Sequence, residues 1–273
     1  MIYKKIPLDP TDEGAFLEVC VADKIKGLTR DALLVIPGGG YGGVCHDREG
    51  EPIGMAFVPY GFNYFVLHYS VKEKGIFPKQ LIQASKAIKH IRDNAEEYNI
   101  NPDRVFAVGF SAGGHLAGSL GILWDNEQVY KEIDMEYGYN KPNGVMLIYP
   151  VVSGIEDFGH KGSFYNLLNS ENPSDEALYA TSLEKHVSEK SSPAFILHTV
   201  NDQVVDVRNS LALASAYTEA GVTYELHIYP DGPHGVALAN HITMTDCKGW
   251  VDASIAKWIE NAVHWTKKLQ EMQ

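Results

Sequence analysis

Ser111 stands in Gly109-Phe110-Ser111-Ala112-Gly113, a G-x-S-x-G pattern. A serine at the apex of a sharp turn can attack an acyl carbon when its hydroxyl projects beyond a sheet. Such a turn needs nearly side-chain-free residues two before and two after it. Gly109 and Gly113 meet that need. The five residues alone are a weak signal, because Gly, Ser and Ala are common. Their flanks carry the weight: residues 105–108 are a short apolar strand, and the small-residue run AGGHLAGSL from Ala112 has helical character. That is the strand, turn and helix setting the motif requires.

A serine nucleophile needs a histidine to take its proton and a carboxylate to orient that histidine and stabilise its cation. On a strand-turn-helix scaffold the chain order is Ser, then Asp or Glu, then His, each just past the C-terminal end of a strand. Residues 194–199 (AFILHT) are followed by Val200-Asn201-Asp202, and residues 223–229 (TYELHIY) by Pro230-Asp231-Gly232-Pro233-His234-Gly235. Asp202, three residues past its strand, is the expected acid. Asp206 comes a turn later at the entrance of a helix, where an N-cap role suffices for it. His234 is the expected base, since its Gly-Pro-His-Gly loop has no apolar periodicity and suits a presented side chain. His115 is four residues from Ser111 but one helical turn along, in or beside the core. It reads as a satisfied buried histidine, as do His68, His198 and His227 inside strands.

The tetrahedral intermediate of acyl transfer carries an oxyanion, and each preorganised N–H donor toward it contributes on the order of 3 kcal/mol. Ala112, next to the nucleophile, is one expected donor. The others come from Pro37-Gly38-Gly39-Gly40, which follows the apolar strand 32–36 (ALLVI). A phosphate cradle would need G-x-G-x-x-G opening a helix with an acid about twenty residues on, or G-x-x-x-x-G-K-[ST], and neither is complete here. Glu49 and Glu51 follow with Arg48, and the helix dipole explains acids in a first turn. No H-E-x-x-H or carboxylate cluster suggests a metal.

These residues must be positioned by a sheet. Strands are expected at 16–21, 32–36, 63–69, 105–108, 144–149, 194–199 and 223–229, and helices at 48–60, 78–98, 209–220 and 248–269, with Asn101-Pro102-Asp103 breaking the pattern. Strand alternating with helix implies an α/β class, a mostly parallel central sheet covered on both faces. The forty residues 153–192 are long for a plain connection and form either a cap over the site, the favoured expectation, or a mobile surface excursion.

The 273 residues, 45 % hydrophobic and 21 % charged, suit one ordinary globular domain, 1–273. A net charge of −12 without clustered Lys and Arg argues against nucleic acid. No run of about eighteen apolar residues suggests a membrane span. The N-terminal MIYKKIPLDPTDEG has no apolar run after its lysines, so it does not read as a secretory signal. Cys20, Cys45 and Cys247 are too few and too scattered for a disulfide framework or a zinc site, and a cytoplasmic location fits them.

IPGGGY at 36–41, REGEPIGMAF at 48–57, VGFSAGGHLA at 108–117, KGSFYNLL at 161–168, HTVNDQVV at 198–205 and the final Gly-Pro-His-Gly-Val together resemble one family. It is the bacterial acetyl esterase/lipase branch of the α/β-hydrolase superfamily, with members labelled carbohydrate acetyl esterase or xylanase-like. The resemblance covers nearly the whole chain. It implies cofactor-free hydrolysis of small short-chain acyl esters, acetylated sugars or xylo-oligosaccharides among them. By that resemblance the nucleophile falls on Ser111, the acid on Asp202, the base on His234 and the oxyanion donors on Gly39, Gly40 and Ala112. Pro37 stands where related esterases have histidine, and Asp206 where many have proline. A peptidase or amidase of the prolyl-oligopeptidase kind is the alternative, with a non-catalytic binding module behind it; a homo-oligomer is left open.

Overall fold

The structure, a computed structural model, describes residues 1–244 and 251–271. Among the described residues eight strands form one sheet: β1 (Ile2–Pro7), β2 (Phe16–Val21), β3 (Arg30–Ile36), β4 (Phe62–His68), β5 (Ile100–Phe110), β6 (Gly144–Ile148), β7 (Ala194–Thr199) and β8 (Tyr224–Tyr229). Their spatial order is β1-β2-β4-β3-β5-β6-β7-β8. β2 runs antiparallel to both β1 and β4, and the remaining neighbours are parallel.

The apolar runs of β3, β5, β6 and β7 are continuous because both faces of the sheet are covered. Ala32, Leu34 and Ile36 join Ala107, Leu147 and Ile196 in one core cluster, whereas Leu33 and Val35 join Phe106, Met146 and Phe195 in another. The helices that cover these faces are α1 (His46–Glu49), α2 (Glu51–Phe57), α3 (Lys79–Asp93), α4 (Ala95–Tyr98), α5 (Ala112–Ile122), α6 (Glu127–Glu132), α7 (Lys161–Leu168), α8 (Asp175–Thr181), α9 (Arg208–Glu219) and α10 (Trp258–Glu271). Buried residues of α3, α5 and α9 belong to the first cluster, those of α2 and α10 to the second.

Several elements differ from the sequence expectation, α6, α7 and α8 among them, which it did not include. β1 has no counterpart in it, since the face that β1 turns inward reads Ile2, Lys4, Ile6, and a lysine interrupts the apolar alternation. Lys4 reaches Glu97 at 2.8 Å instead. The stretch Asn101-Pro102-Asp103 does not end a helix just before a strand but lies within β5. The register against β3 jumps there, Arg30 facing Ile100 and Ala32 facing Val105. The helix expected over 48–60 is broken at Gly50, whose φ of −107° and ψ of −110° are not helical, and it ends in a 3₁₀ turn over Val58–Tyr60. The helix expected over 78–98 breaks at Asn94, whose amide donates to the His90 carbonyl at 2.7 Å and competes with the helical ladder.

Segment 153–192 holds α7 and α8, and Phe164, Leu167 and Leu183 anchor it in the core. Of the helix expected over 248–269, only residues 258–269 belong to α10: Asp252 caps the N–H groups of Ser254 and Ile255 in a turn, Ile255–Lys257 are 3₁₀, and 248–250 with Cys247 lie outside the described part. Among the described residues no helix is long and apolar enough to cross a membrane.

Candidate active site

The turn between β5 and α5 holds Ser111 at φ +53° and ψ −119°, a conformation that L residues rarely adopt. It is fixed by the Ser111 N–H to the Ile148 carbonyl at 3.0 Å and by the His115 and Val151 N–H groups on its own carbonyl, both at 3.1 Å. The flanking glycines are steric necessities. A Cβ on Gly109 would overlap the Gly113 carbonyl, and one on Gly113 would overlap the carbonyls of Ile36 and Pro37.

His234, past β8, places Nε2 2.8 Å from Ser111 Oγ and Nδ1 2.7 Å from Asp202 Oδ2. With Nδ1 protonated toward the carboxylate, Nε2 is left as the acceptor for the serine hydroxyl. The other oxygen of Asp202 accepts the N–H groups of Val204 at 2.8 Å and Val205 at 3.0 Å. Burial pushes the Asp202 carboxyl up, but hydrogen bonds from His198 and His234, the charge of His234 and the Val204 N–H outweigh it. The carboxyl is held well below the usual range. An ionised Asp202 is therefore the resting state near neutral pH.

The loop after β3 is fixed by its carbonyls. Gly38 O accepts from Cys45 N–H at 3.0 Å, and Gly39 O from the N–H groups of Gly42 at 3.0 Å and Gly43 at 3.1 Å. Gly40 O accepts from the Asn166 side chain at 2.9 Å. In a trans peptide the next N–H points opposite its carbonyl, so these bonds also aim the N–H groups of Gly39 and Gly40. φ values of +128° at Gly39 and +61° at Gly40 suit glycine in the loop. Ala112 opens α5, where a helix offers its N–H no intrahelical acceptor.

Ser111, Asp202 and His234 thus meet in one contact chain, and Asp206 stays outside it. The Asp206 side chain accepts the Arg208 N–H at 2.8 Å and pairs with the Arg208 guanidinium at the start of α9. His115 is fully buried, bonded to Tyr41 Oη at 2.8 Å and to the Thr181 carbonyl at 2.7 Å, and burial lowers its pKa to about 4. His198 is buried with Ser210 and the Val205 carbonyl as partners, and it also lies 3.4 Å from Asp202. His68 and His227 are only half-buried, paired with Glu18 and Glu225.

Glu49 is the residue that sequence reasoning misplaced. It does not serve an exposed first turn. It is 2 % exposed, with Oε2 accepting the Gly38 N–H at 2.8 Å and Oε1 accepting the Tyr149 hydroxyl at 2.9 Å. The one signal was Gly50, a helix breaker immediately after it inside an otherwise helical pattern.

Residues 17–217 match the BD-FAE family model. The chain belongs to the BD-FAE family of α/β-hydrolases. This BD-FAE chain is 40 % identical over 216 residues to endo-1,4-beta-xylanase B of Butyrivibrio fibrisolvens, which covers 77 % of the chain and 33 % of the xylanase. It is 32 % identical over 238 residues to an acetylxylan esterase of Xylanibacter ruminicola, covering 85 % of the chain and 46 % of the esterase. The chain thus spans between a third and a half of the length of these curated relatives. The solved acetyl ester-xyloside bifunctional hydrolase of Caldicellulosiruptor lactoaceticus superposes with a TM-score of 0.82 at 31 % identity, over 98 % of this chain and 96 % of that one. The mostly parallel sheet with helices on both faces is the expected fold class.

Proposed function

We propose that the chain is a serine carboxylesterase that removes short acyl groups, acetyl groups on sugars or xylo-oligosaccharides foremost, through an acyl-enzyme. The observation that carries this reading is the contact chain from Ser111 Oγ through both nitrogens of His234 to Asp202. His234 takes the Ser111 proton as the hydroxyl attacks the acyl carbon, and Asp202 stabilises the imidazolium. The N–H groups of Gly39, Gly40 and Ala112 receive the oxyanion. His234 then gives its proton to the leaving alcohol, and a water molecule repeats the cycle on the ester to Ser111, releasing the acid.

The sugar-ester substrate class draws support from the similarity to the acetylxylan esterase and the acetyl ester-xyloside hydrolase, whose names carry that activity. Segment 153–192 serves in this reading as a cap of the single domain. α7 sets Ser163 beside Gly40 and Asn166 on its carbonyl, so one wall of the site belongs to the insertion.

Ser111→Ala is the direct test, with p-nitrophenyl acetate as substrate. Loss of at least about a thousandfold in kcat is expected. A variant that keeps most of its activity overturns the reading. A panel of acetylated xylo-oligosaccharides, longer acyl esters and aminoacyl amides then reads the specificity, and amides cleaved faster than acetyl esters would favour a peptidase.

A further inference from the structure

A buried carboxyl is costly unless its oxygens are hydrogen-bonded. In Glu49 both oxygens are spent on the two backbone segments that flank Ser111. On one side is Gly38, adjacent to the Gly39 and Gly40 amides. A Cβ at Gly38 would lie 2.8 Å from Glu49 Oε2 and 3.0 Å from Ser111 Cβ, so the loop is wedged between the carboxyl and the nucleophile with no room for a side chain. On the other side is Tyr149, just past β6. Its hydroxyl donates to Glu49 and accepts the Ala237 N–H at 3.1 Å, and its ring stands edge-on to the His234 imidazole, with centroids 5.0 Å apart.

Two further observations mark this as a set arrangement. Tyr149 and Ala237 have φ of +40° and +47°, left-handed values for residues with a Cβ, and such strain persists only where the surroundings over-determine it. Burial holds the Glu49 carboxyl above its usual range, against the Gly38 N–H, the Arg48 charge, the Tyr149 hydroxyl and the His234 charge. A carboxyl kept in place at that cost has a use for both of its bonds.

We infer that Glu49 is a positioning residue of the serine site, one carboxyl that sets the oxyanion loop through Gly38 and the His234 loop through Tyr149. The inference rests on the serine esterase reading. Glutamine at 49 keeps the size but can accept at only one of its two ends, so Gly38 and Tyr149 can no longer both donate to it. Phenylalanine at 149 keeps the ring against His234 and removes the bridge to Ala237.

The test measures kcat and KM on p-nitrophenyl acetate for the parent, Ser111→Ala, Glu49→Gln, Tyr149→Phe and the double variant, with folded fraction checked by near-UV circular dichroism. Glu49→Gln is expected to lower kcat by about 10- to 100-fold with KM changed by less than about threefold, because only transition-state geometry is disturbed. Tyr149→Phe is expected to lower kcat by about threefold or more, and the double variant to fall less than about threefold below Glu49→Gln, since both substitutions cut one linkage. Folded Glu49→Gln with kcat within about threefold of the parent overturns the inference, and so do losses that multiply in the double variant. If Glu49→Gln does not fold, Tyr149→Phe decides: kcat within about twofold of the parent overturns it. A Ser111→Ala variant as active as its parent would instead remove the esterase reading itself.

Discussion

Thr199, the last residue of β7, donates its hydroxyl to the Gly232 carbonyl at 2.6 Å. Asn201 takes the N–H of the same glycine at 2.8 Å, so both backbone groups of Gly232 are held by the segment that carries Asp202. Gly232 has a φ of +149°, and a Cβ there would come within 2.7 Å of Thr199 Cγ2. The loop bearing the acid and the loop bearing the histidine are therefore tied together beside the Asp202–His234 contact, and their spacing does not depend on that contact alone.

Thr199→Val keeps the shape of the side chain and leaves the Gly232 carbonyl without its donor, at a cost of about 1–3 kcal/mol. Urea unfolding should show that loss. kcat/KM on p-nitrophenyl acetate should fall by about three- to tenfold as the histidine loop loosens. A variant unchanged in both measurements would mean that the other ties of the loop hold it without Thr199.

Asp202→Asn should lower kcat by about a thousandfold to ten-thousandfold. The asparagine amide would face His234 Nδ1 with a donor and favour the tautomer that leaves Nε2 protonated and unable to accept from Ser111. Asp206→Asn should stay within about twofold of the parent, because among the described residues its carboxylate hydrogen-bonds to Arg208 alone, outside the site. Steady-state kinetics on the two variants separates the two acids, and comparable losses would contradict the assignment.

His115 sets a pH dependence of stability. Its pKa falls to about 4 in the folded state, from an ordinary histidine value near 6.5. Between those values the unfolded chain holds the proton and the folded one does not, so stability rises with pH through that window and is lost as pH falls through it. The slope from this one group is about 1.4 kcal/mol per pH unit. Urea midpoints for the parent and His115→Phe at pH 7, 6 and 5 check it: the parent should lose stability on acidification faster than the variant. Equal slopes would show that folding does not lower the pKa of the ring.

The sheet was largely legible because its parallel strands are buried on both faces, which writes them as uninterrupted apolar runs such as ALLVI and GVMLI. The three side chains that the structure brings into contact share a related signature: Ser111, Asp202 and His234 each follow such a run, and glycines mark the turns. What escaped was set by partners distant in sequence. Glu49 has the same sequence signature as an exposed helical acid, and only Gly38 and Tyr149 distinguish it, the latter one hundred residues away. β1 escaped because its inward lysine is neutralised by Glu97, which no local window contains. Asn166 and Thr199 escaped because their partners are backbone groups of other loops.

Ser111 and His234 are separated by 123 residues, and the loop that carries the histidine is itself pinned by the indole of Trp258, which donates to the Ala237 carbonyl at 2.9 Å. During synthesis Ser111 and residues 36–43 are made well before His234 and Trp258. On the proposed reading the serine is therefore made 123 residues before its base, and its proton has no acceptor on His234 until the later part of the chain has folded onto the sheet.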